Sequence, residues 1–549
     1  MMTRRRAFMV VGLFLVLAFD LWLRGHAAGP GLRAITGWDL YLATSRESEP
    51  LDCDEAIYGY IGDRLAHGEV MYRDLTENKP PGGYWLYAAF MKLGGLNELT
   101  VRLMPVPFVL LNLILVWWLG LKLRRPSTAL LAALIFAVVS TDPYLYGDGC
   151  QMEVPINLFS TAALAFLVAA WDRPGRALLI ASGVCLGLAV LVKQVAVLHG
   201  LLFVAALWMR KTSGDRVLSV RLKDVLAITL GATVVIFVAA IILIVQGAGP
   251  QAFEDIFRYG KALATDTPAP PNSPSKWLRW FTGNADPEGM LPWPFGRTNY
   301  LVWWGTGSWP FWVAAMPGIG WLIWKKGNDA KRRLVAAWTL CAWVQVALPG
   351  LFWAHYYLLP VPGLAVVVAV FLGDMIDLAR SSRSPGRWLC GVMAGLVTLA
   401  LLGTARIQFN AYLRVPPEAL VMVKGGPQWI AQRSLGREIK RRAVVWNCPT
   451  LFVWGWQGTL YFYSDLAHST PQVFVDDLMK TFAATDHPQI RPRVERIMRD
   501  LRSHPPSLMY VAYPPFPALK AFLDERYYPS RLALGLWVDR EKFGEFEAR

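Results

Sequence analysis

Cysteine is scarce in this chain. There are six in 549 residues, with no CxxC or Cys/His spacing, so a zinc-ribbon site is not supported. GxGxxG and P-loop motifs are absent, and Gly425-Gly426-Pro427 reads as a turn rather than a phosphate cradle. No internal repeat or inverted repeat stands out. Charge is also sparse: Asp, Glu, Lys and Arg make up 17% of residues, against 54% hydrophobic with 25 Trp. With its long apolar runs, that balance excludes an ordinary soluble domain and defines a polytopic membrane protein. The net charge of +15 does not indicate nucleic acid, because the basic residues bunch in short loops between apolar runs.

A span needs about 20 apolar residues to cross roughly 30 Å of hydrocarbon. By that ruler about eleven spans run near 7–23, 101–121, 127–145, 154–171, 176–192, 194–209, 225–246, 301–324, 334–353, 357–378 and 388–406. The fifth and sixth are short and separated by Lys193-Gln194. Six basic clusters fall on one side of this order: Arg4–Arg6, Lys122/Arg124/Arg125, Arg173/Arg176, Arg210 to Lys223, Lys325 to Arg333 and Arg380 to Arg387. The positive-inside rule then places the N-terminus in the cytoplasm and the C-terminus outside a plasma or inner membrane. Arg4-Arg5-Arg6 followed by Ala7 to Phe19, with His26-Ala27-Ala28 beyond, has the look of a signal peptide. A retained first helix is expected instead, because the loop that follows needs an anchor. Cys185, Cys341 and Cys390 lie in apolar runs and are expected to pack there. Cys53, Cys150 and Cys448 fall outside, and which of them pair, if any, the sequence leaves open.

The expected architecture is mainly α: a transmembrane catalytic domain over 1–406 with outer loops 25–100 and 247–300, then an outer α/β domain over 407–549. In the first loop, Ile57, Tyr60, Ile61 and Leu65 repeat at helical spacing, which predicts a short amphipathic helix from Asp54 to His67, capped by an Asp near its start. Tyr84 to Leu93 is apolar but too short to span, and reads as an interfacial segment. The second loop opens with a surface helix around Phe253–Tyr259. The Pro-rich 268–274 and the Trp-rich stretch after it read either as a linker in an aromatic belt or as a lid. In the tail, Ala443–Trp446, Ser507–Tyr513 and Leu532–Val538 read as strands, and Gln489–Leu501 and Pro517–Arg526 as helices.

Chemistry concentrates in one polar stretch of the first loop, Asp52-Cys-Asp54-Glu55 and then Glu77-Asn-Lys79-Pro80-Pro81. A carboxylate can take a proton from a hydroxyl, and a lysine can receive a phosphate. Together they suggest group transfer from a lipid phosphate at a membrane surface. Asp54 and Glu55 point about 100° apart on a helix, so one faces the site while the other caps or pairs. The plainer alternative is a solvated surface pair. Proline forces the residue before it extended, which constrains the direction of Lys79; a snorkelling lysine is the alternative. Glu153, at the handover between the third and fourth spans, is costly at the edge of hydrocarbon unless paired or functional. His355-Tyr356-Tyr357-Leu-Leu-Pro360 sits at the outer end of two spans, where an aromatic belt is the simpler reading.

Taken in order, these residues resemble a family. Asp54-Glu55-x-x-Tyr58 after the first span, Lys79-Pro80-Pro81-x-x-Tyr84-Trp85, and Tyr357-x-x-Pro360 opening a late span recur in the GT-C membrane glycosyltransferases. The likeness is greatest to bacterial relatives of the protein O-mannosyltransferases and of the lipid A aminoarabinose transferase. Gly187-Leu-Ala-Val-Leu-Val-Lys193 and Val453-Trp454-Gly455 followed by Tyr461 are similar to further signatures of that family. The resemblance implies a sugar taken from a polyprenyl-phosphate donor with inversion, and passed to a lipid, glycan or protein hydroxyl outside the cytoplasm. It makes Asp54 the candidate base with Glu55 beside it, and Glu153 a second acidic candidate. Lys79 and Tyr357 match positions that bind the carrier phosphate, and Tyr84 and His355 from the same motifs complete the expected donor set. Relatives often carry Glu just before Lys-Pro-Pro in places associated with a metal. Here that residue is Asn78, with Glu77 one earlier, so a divalent metal is left open.

Two other classes compete. A transporter or flippase for a lipid-linked sugar is expected to show repeats and polar residues at the midplane. A receptor or assembly protein would use the outer domain for binding without turnover. The polar signal lies in outer loops, which favours an enzyme.

Overall fold

In hydrocarbon a backbone must satisfy its own hydrogen bonds, so the apolar runs fold as helices. The computed structural model describes residues 2–25, 48–172, 175–210, 217–259, 308–325, 330–349, 353–381, 386–415, 420–421, 427–475, 478 and 487–543. A helix occupies each stretch read as a span. Among the described residues, six helices are long and apolar enough to cross a membrane: Ala7–Gly25, Glu98–Leu123, Glu153–Asp172, Leu218–Val245, Val361–Arg380 and Arg387–Tyr412. Three shorter apolar helices, Pro126–Ser140, Arg176–Val192 and Gln194–Met209, accompany them. The remaining two are Trp309–Trp324 and Ala330–Ala347. The mainly α, multi-pass reading holds. The Pro-rich and Trp-rich part of the second loop, the suggested lid and Gly425-Gly426 lie outside the described residues.

The chain divides into two compact units. One comprises 1–49, 102–238 and 273–424, and the other 50–101, 239–272 and 425–549.

The first unit is the helical bundle, with Val361–Arg380 buried along most of its length. Gly183 and Gly231 lie where two helices touch backbone to backbone, leaving no room for a Cβ on either, as membrane packing favours. The first helix is built into this bundle. Arg24, 3% exposed, pairs with Asp20 at 3.0 Å and donates to Gly147 O at 2.6 Å and Ser140 Oγ at 3.0 Å. At one end of the bundle the basic loops meet shared acids. Lys122 and Lys331 both pair with Asp172, Arg124 and Arg332 with Asp374, and Arg125 with Asp377, while Arg210 lies over Trp171. At the other end the rings of Tyr146 and His355 meet edge-on at 6.0 Å.

The second unit gathers loop helices and the tail. Asp52 caps the helix Cys53–Ala66, its side chain accepting from Glu55 N at 3.1 Å. The helix Gly82–Gly94 packs against it so closely that a Cβ at Gly62 would stand 2.7 Å from that of Tyr87. The short helix Gly249–Phe253 continues as a π-helical turn, Glu254–Tyr259, where the surface helix was expected.

The tail holds the expected small α/β fold. Its five strands are β1 (Thr450–Trp454), β2 (Ala467–His468), β3 (Leu508–Val511), β4 (Tyr527–Pro529) and β5 (Leu536–Asp539), ordered β2-β1-β3-β5-β4. β1 runs parallel to β2 and β3, while β5 is antiparallel to β3 and β4. The helices Arg491–Ser503 and Pro517–Arg526 stand where expected and bury Ile497, Leu501, Leu519 and Phe522 in the same core as Phe452 and Met509.

One expected strand is corrected. Ala443–Trp446 ends the helix Gln428–Trp446. The Val444-Val445 pair suggests a strand, but a ladder begun sixteen residues earlier carries through it, and Asn447 in the left-handed region (φ 53°) closes the helix. The strand lies just beyond, at Thr450. Likewise the strand expected from Leu532 begins at Leu536. Among the described residues no disulfide joins any of the six cysteines.

Candidate active site

The sequence-derived site residues fall into two groups, one in each unit. In the second unit three acids open the capped helix. Asp52 is committed to its cap, and burial, then the carboxylates of Glu55 and Asp54, push its carboxyl well above the usual range. Glu55 is 2% exposed, and Asp54 alone of the three is partly open. The Asp-Glu pair is thus not a solvated surface pair, and the two side chains differ in access as their positions on a helix require.

Lys79 is held from several directions. Its ammonium lies 3.2 Å from Glu77 Oε1 and 5.6 Å above the Tyr58 ring. The Tyr72 hydroxyl donates to the Lys79 carbonyl at 2.7 Å, and Asn78 N donates to Glu77 Oε1 at 2.8 Å. Tyr72 has φ 68°, a left-handed conformation that a bulky residue adopts only where its surroundings impose it. Tyr84 is fully buried and meets the Tyr58 ring edge-on at 5.6 Å. Burial raises its phenol, and the charges of Glu77 and, more weakly, Asp54 raise it further. The charges of Asp54 and Glu77 thus both reach Tyr84, and Glu77 holds Lys79.

In the first unit, Glu153 opens the helix Glu153–Asp172 and is 1% exposed. Its carboxylate pairs with Lys193 at 2.7 Å, and the Lys193 ammonium lies 3.7 Å over the Tyr356 ring. His355 packs edge-on against Tyr356 at 4.8 Å. Tyr357 follows in the same 3₁₀ turn, which Asn157 pins by donating to Leu358 O at 2.8 Å. The Tyr357 ring is fully buried between Trp312 and Trp343, at 6.3 and 5.6 Å, and among the described residues its hydroxyl has no hydrogen-bond partner.

Sequence reasoning missed Glu77, Tyr72 and Tyr58 as the residues that aim Lys79, and Lys193 and Tyr356 as the partners of Glu153. Lys193 was legible as a charge interrupting two apolar runs, a position that demands a partner. That the partner is Glu153, 40 residues back, is a tertiary fact.

Among the described residues no three His, Cys, Asp or Glu side chains are placed to hold a metal ion. Among them, Asp52 serves its cap and Glu153 its lysine.

Comparison with known proteins bears on this geometry. The family model for dolichyl-phosphate-mannose-protein mannosyltransferase matches residues 78–244. Among solved structures, the chain is similar to ArnT from Cupriavidus metallidurans bound to undecaprenyl phosphate, with 16% identity, 99% of each chain covered and a TM-score of 0.54. It is also similar to the archaeal oligosaccharyltransferase AglB from Archaeoglobus fulgidus in complex with an inhibitory peptide and a dolichol-phosphate. There the identity is 12%, the match covers 92% of this chain and 69% of that one, and the TM-score is 0.55. No curated protein matches by sequence. The chain has the fold of the GT-C superfamily of membrane glycosyltransferases, and the resemblance carried by its motifs is borne out.

Proposed function

We propose that the protein is an inverting glycosyltransferase that moves a sugar from a polyprenyl-phosphate donor to an acceptor hydroxyl outside the cytoplasm. The observation that carries this reading is a partly open carboxylate, Asp54, in the same unit as a lysine, Lys79, fixed by Glu77, Tyr58 and Tyr72, with the charges of Asp54 and Glu77 both reaching Tyr84. A GT-C fold whose similar structures hold undecaprenyl phosphate or dolichol-phosphate supports the donor class.

In the proposed step the acceptor oxygen attacks the anomeric carbon as the bond to the phosphate oxygen breaks. The acceptor proton passes to Asp54. The bonding pair leaves with the carrier phosphate, whose charge Lys79 neutralises. A positioned base contributes about 10²–10⁴-fold, and a fixed cation acts where charge develops without reorganising. Glu55, sealed from solvent, orients its neighbour. Tyr84 serves the donor beside Lys79. In the other unit the Tyr357 hydroxyl, unpartnered among the described residues, is a donor suited to a phosphate oxygen. Glu153, already engaged by Lys193, sets that cation and ranks second to Asp54 as base. The proposed setting is a plasma or inner membrane, with a cytoplasmic N-terminus and the tail domain outside.

The test is to incubate the purified protein with radiolabelled polyprenyl-phosphate sugars and cell envelope. Label should enter a lipid, glycan or protein fraction with wild type and not with Asp54→Asn. Movement of the labelled donor across proteoliposomes, with no transfer to any fraction, would establish the transporter instead.

A further inference from the structure

The first unit contains a cavity that the proposed reaction does not use. It has a volume of about 460 Å³ and is walled by Trp321, Phe371, Met375, Leu389 and Met393, with Lys325 the one charged residue lining it among the described residues. The walls come from the helices Trp309–Trp324, Val361–Arg380 and Arg387–Arg414. At 1.5 Å per residue, Met375 lies roughly 20 Å along its helix from Val361, the end beside the Tyr357 turn. The cavity is therefore not part of the Tyr357 group. Two of its walls are helices long and apolar enough to cross a membrane, where the surrounding solvent is acyl chain.

The charge beside it is uneven among the described residues. Arg124, Arg332 and Lys325 share Asp374, and Arg124 and Arg125 share Asp377, so of the described side chains four cations meet two carboxylates. Arg124 and Arg332 approach Asp374 to 2.9 and 2.8 Å, and the Trp321 indole N–H donates to it at 3.0 Å. Lys325 stands off at 3.7 Å, over the Trp321 ring at 4.6 Å. An apolar pocket whose only charge among the described residues is a lysine, beside a described cluster richer in cations than in carboxylates, fits an amphiphile with an anionic head.

We propose that this cavity binds an anionic phospholipid, with an acyl chain against Trp321 and Phe371 and the headgroup phosphate on Lys325. Zwitterionic lipid offers the same chain without net charge, so the cation surplus selects against it. One basic residue near an anionic lipid changes affinity about fivefold.

Native mass spectrometry of the full-length protein in detergent, supplied with phosphatidylglycerol or phosphatidylcholine of equal chain length, reads the bound lipid directly. Wild type should retain phosphatidylglycerol preferentially, and Lys325→Ala should lower that retention about fivefold. Lys325→Arg should keep it, and Cys390→Trp, which fills the cavity, should lower retention of both lipids. If Lys325→Ala does not fold, the Arg and Trp variants decide. Equal retention of the two lipids by wild type, or unchanged phosphatidylglycerol in Cys390→Trp, would overturn the assignment. So would displacement of phosphatidylglycerol by equimolar undecaprenyl phosphate, because the cavity would then be a site for the carrier.

Discussion

Breaking the Glu153–Lys193 pair separates structure from chemistry in the bundle. The two charges meet at 2.7 Å with side-chain exposures of 1% and 10%. Removing one partner of a buried pair typically costs about 3–5 kcal/mol, because the other charge stays buried and unpaired. Each survivor here keeps a lesser partner. A lone Lys193 retains the Tyr356 ring, 3.7 Å away, worth about 1–2 kcal/mol. A lone Glu153 retains the helix N-terminus it occupies, worth about 0.3–1 kcal/mol. Glu153→Gln and Lys193→Met should therefore each cost about 2–4 kcal/mol, with Lys193→Met the worse. The double variant should cost far less than their sum, with a coupling of about 1–3 kcal/mol. Reversible unfolding in mixed micelles, followed by tryptophan fluorescence, measures all four corners of the cycle. Single-variant losses that add within about 0.5 kcal/mol would refute the pairing as an energetic unit. If Glu153→Gln also left stability intact while cutting turnover as deeply as Asp54→Asn, the base would be Glu153.

Four further outcomes follow from the same geometry. Asp54→Asn should leave donor binding nearly unchanged and lower turnover about 10²-fold or more, with Glu55→Gln doing less; a reversed ranking moves the base by one residue. Lys79→Ala should weaken binding of the carrier phosphate, measured by calorimetry, and Lys79→Arg should recover part of it; equal binding by the Ala variant rejects the assignment. Gly62→Val should destabilise the second unit by about 1–3 kcal/mol, because even a Cβ stands 2.7 Å from that of Tyr87, and an unchanged melting midpoint contradicts that contact. An impermeant thiol reagent on intact cells should label a cysteine placed at Arg441, 76% exposed, and spare one placed at Arg387; the opposite pattern inverts the membrane orientation.

What the sequence made legible follows from what determines each feature locally. Apolar runs set the bundle helices, since hydrocarbon leaves the backbone no other choice. An Asp at the right offset set the cap of Cys53–Ala66. The Val444-Val445 pair misled because intrinsic β preference is weak beside a helix already propagating from Gln428. The two-residue strand β2 at Ala467–His468 carries no pattern of its own and exists through pairing with β1. In the site, identities were readable but aims were not. The Lys-Pro-Pro motif announces a constrained lysine, yet its direction is set by Tyr72, Glu77 and Tyr58, none of which the motif names.

The tail domain gives the clearest case of a distant segment governing a site. Leu51 N donates to the Tyr463 hydroxyl at 2.9 Å, Cys53 Sγ donates to Trp456 O at 2.9 Å, and the Tyr60 hydroxyl donates to Leu466 O at 2.9 Å. Arg64 pairs with Asp465 at 2.9 Å, and Tyr60 stacks on Tyr461, whose hydroxyl accepts from Val453 N at 3.0 Å. These contacts run along the helix that carries Asp54, and they use the Trp-Gly…Tyr segment that the sequence singled out without a role. A short helix of this length is marginal in water by itself, so its position must come from what it packs against. A carboxylate displaced by about 1 Å loses much of its catalytic value. The tail therefore acts on the proposed chemistry by fixing the helix beneath Asp54.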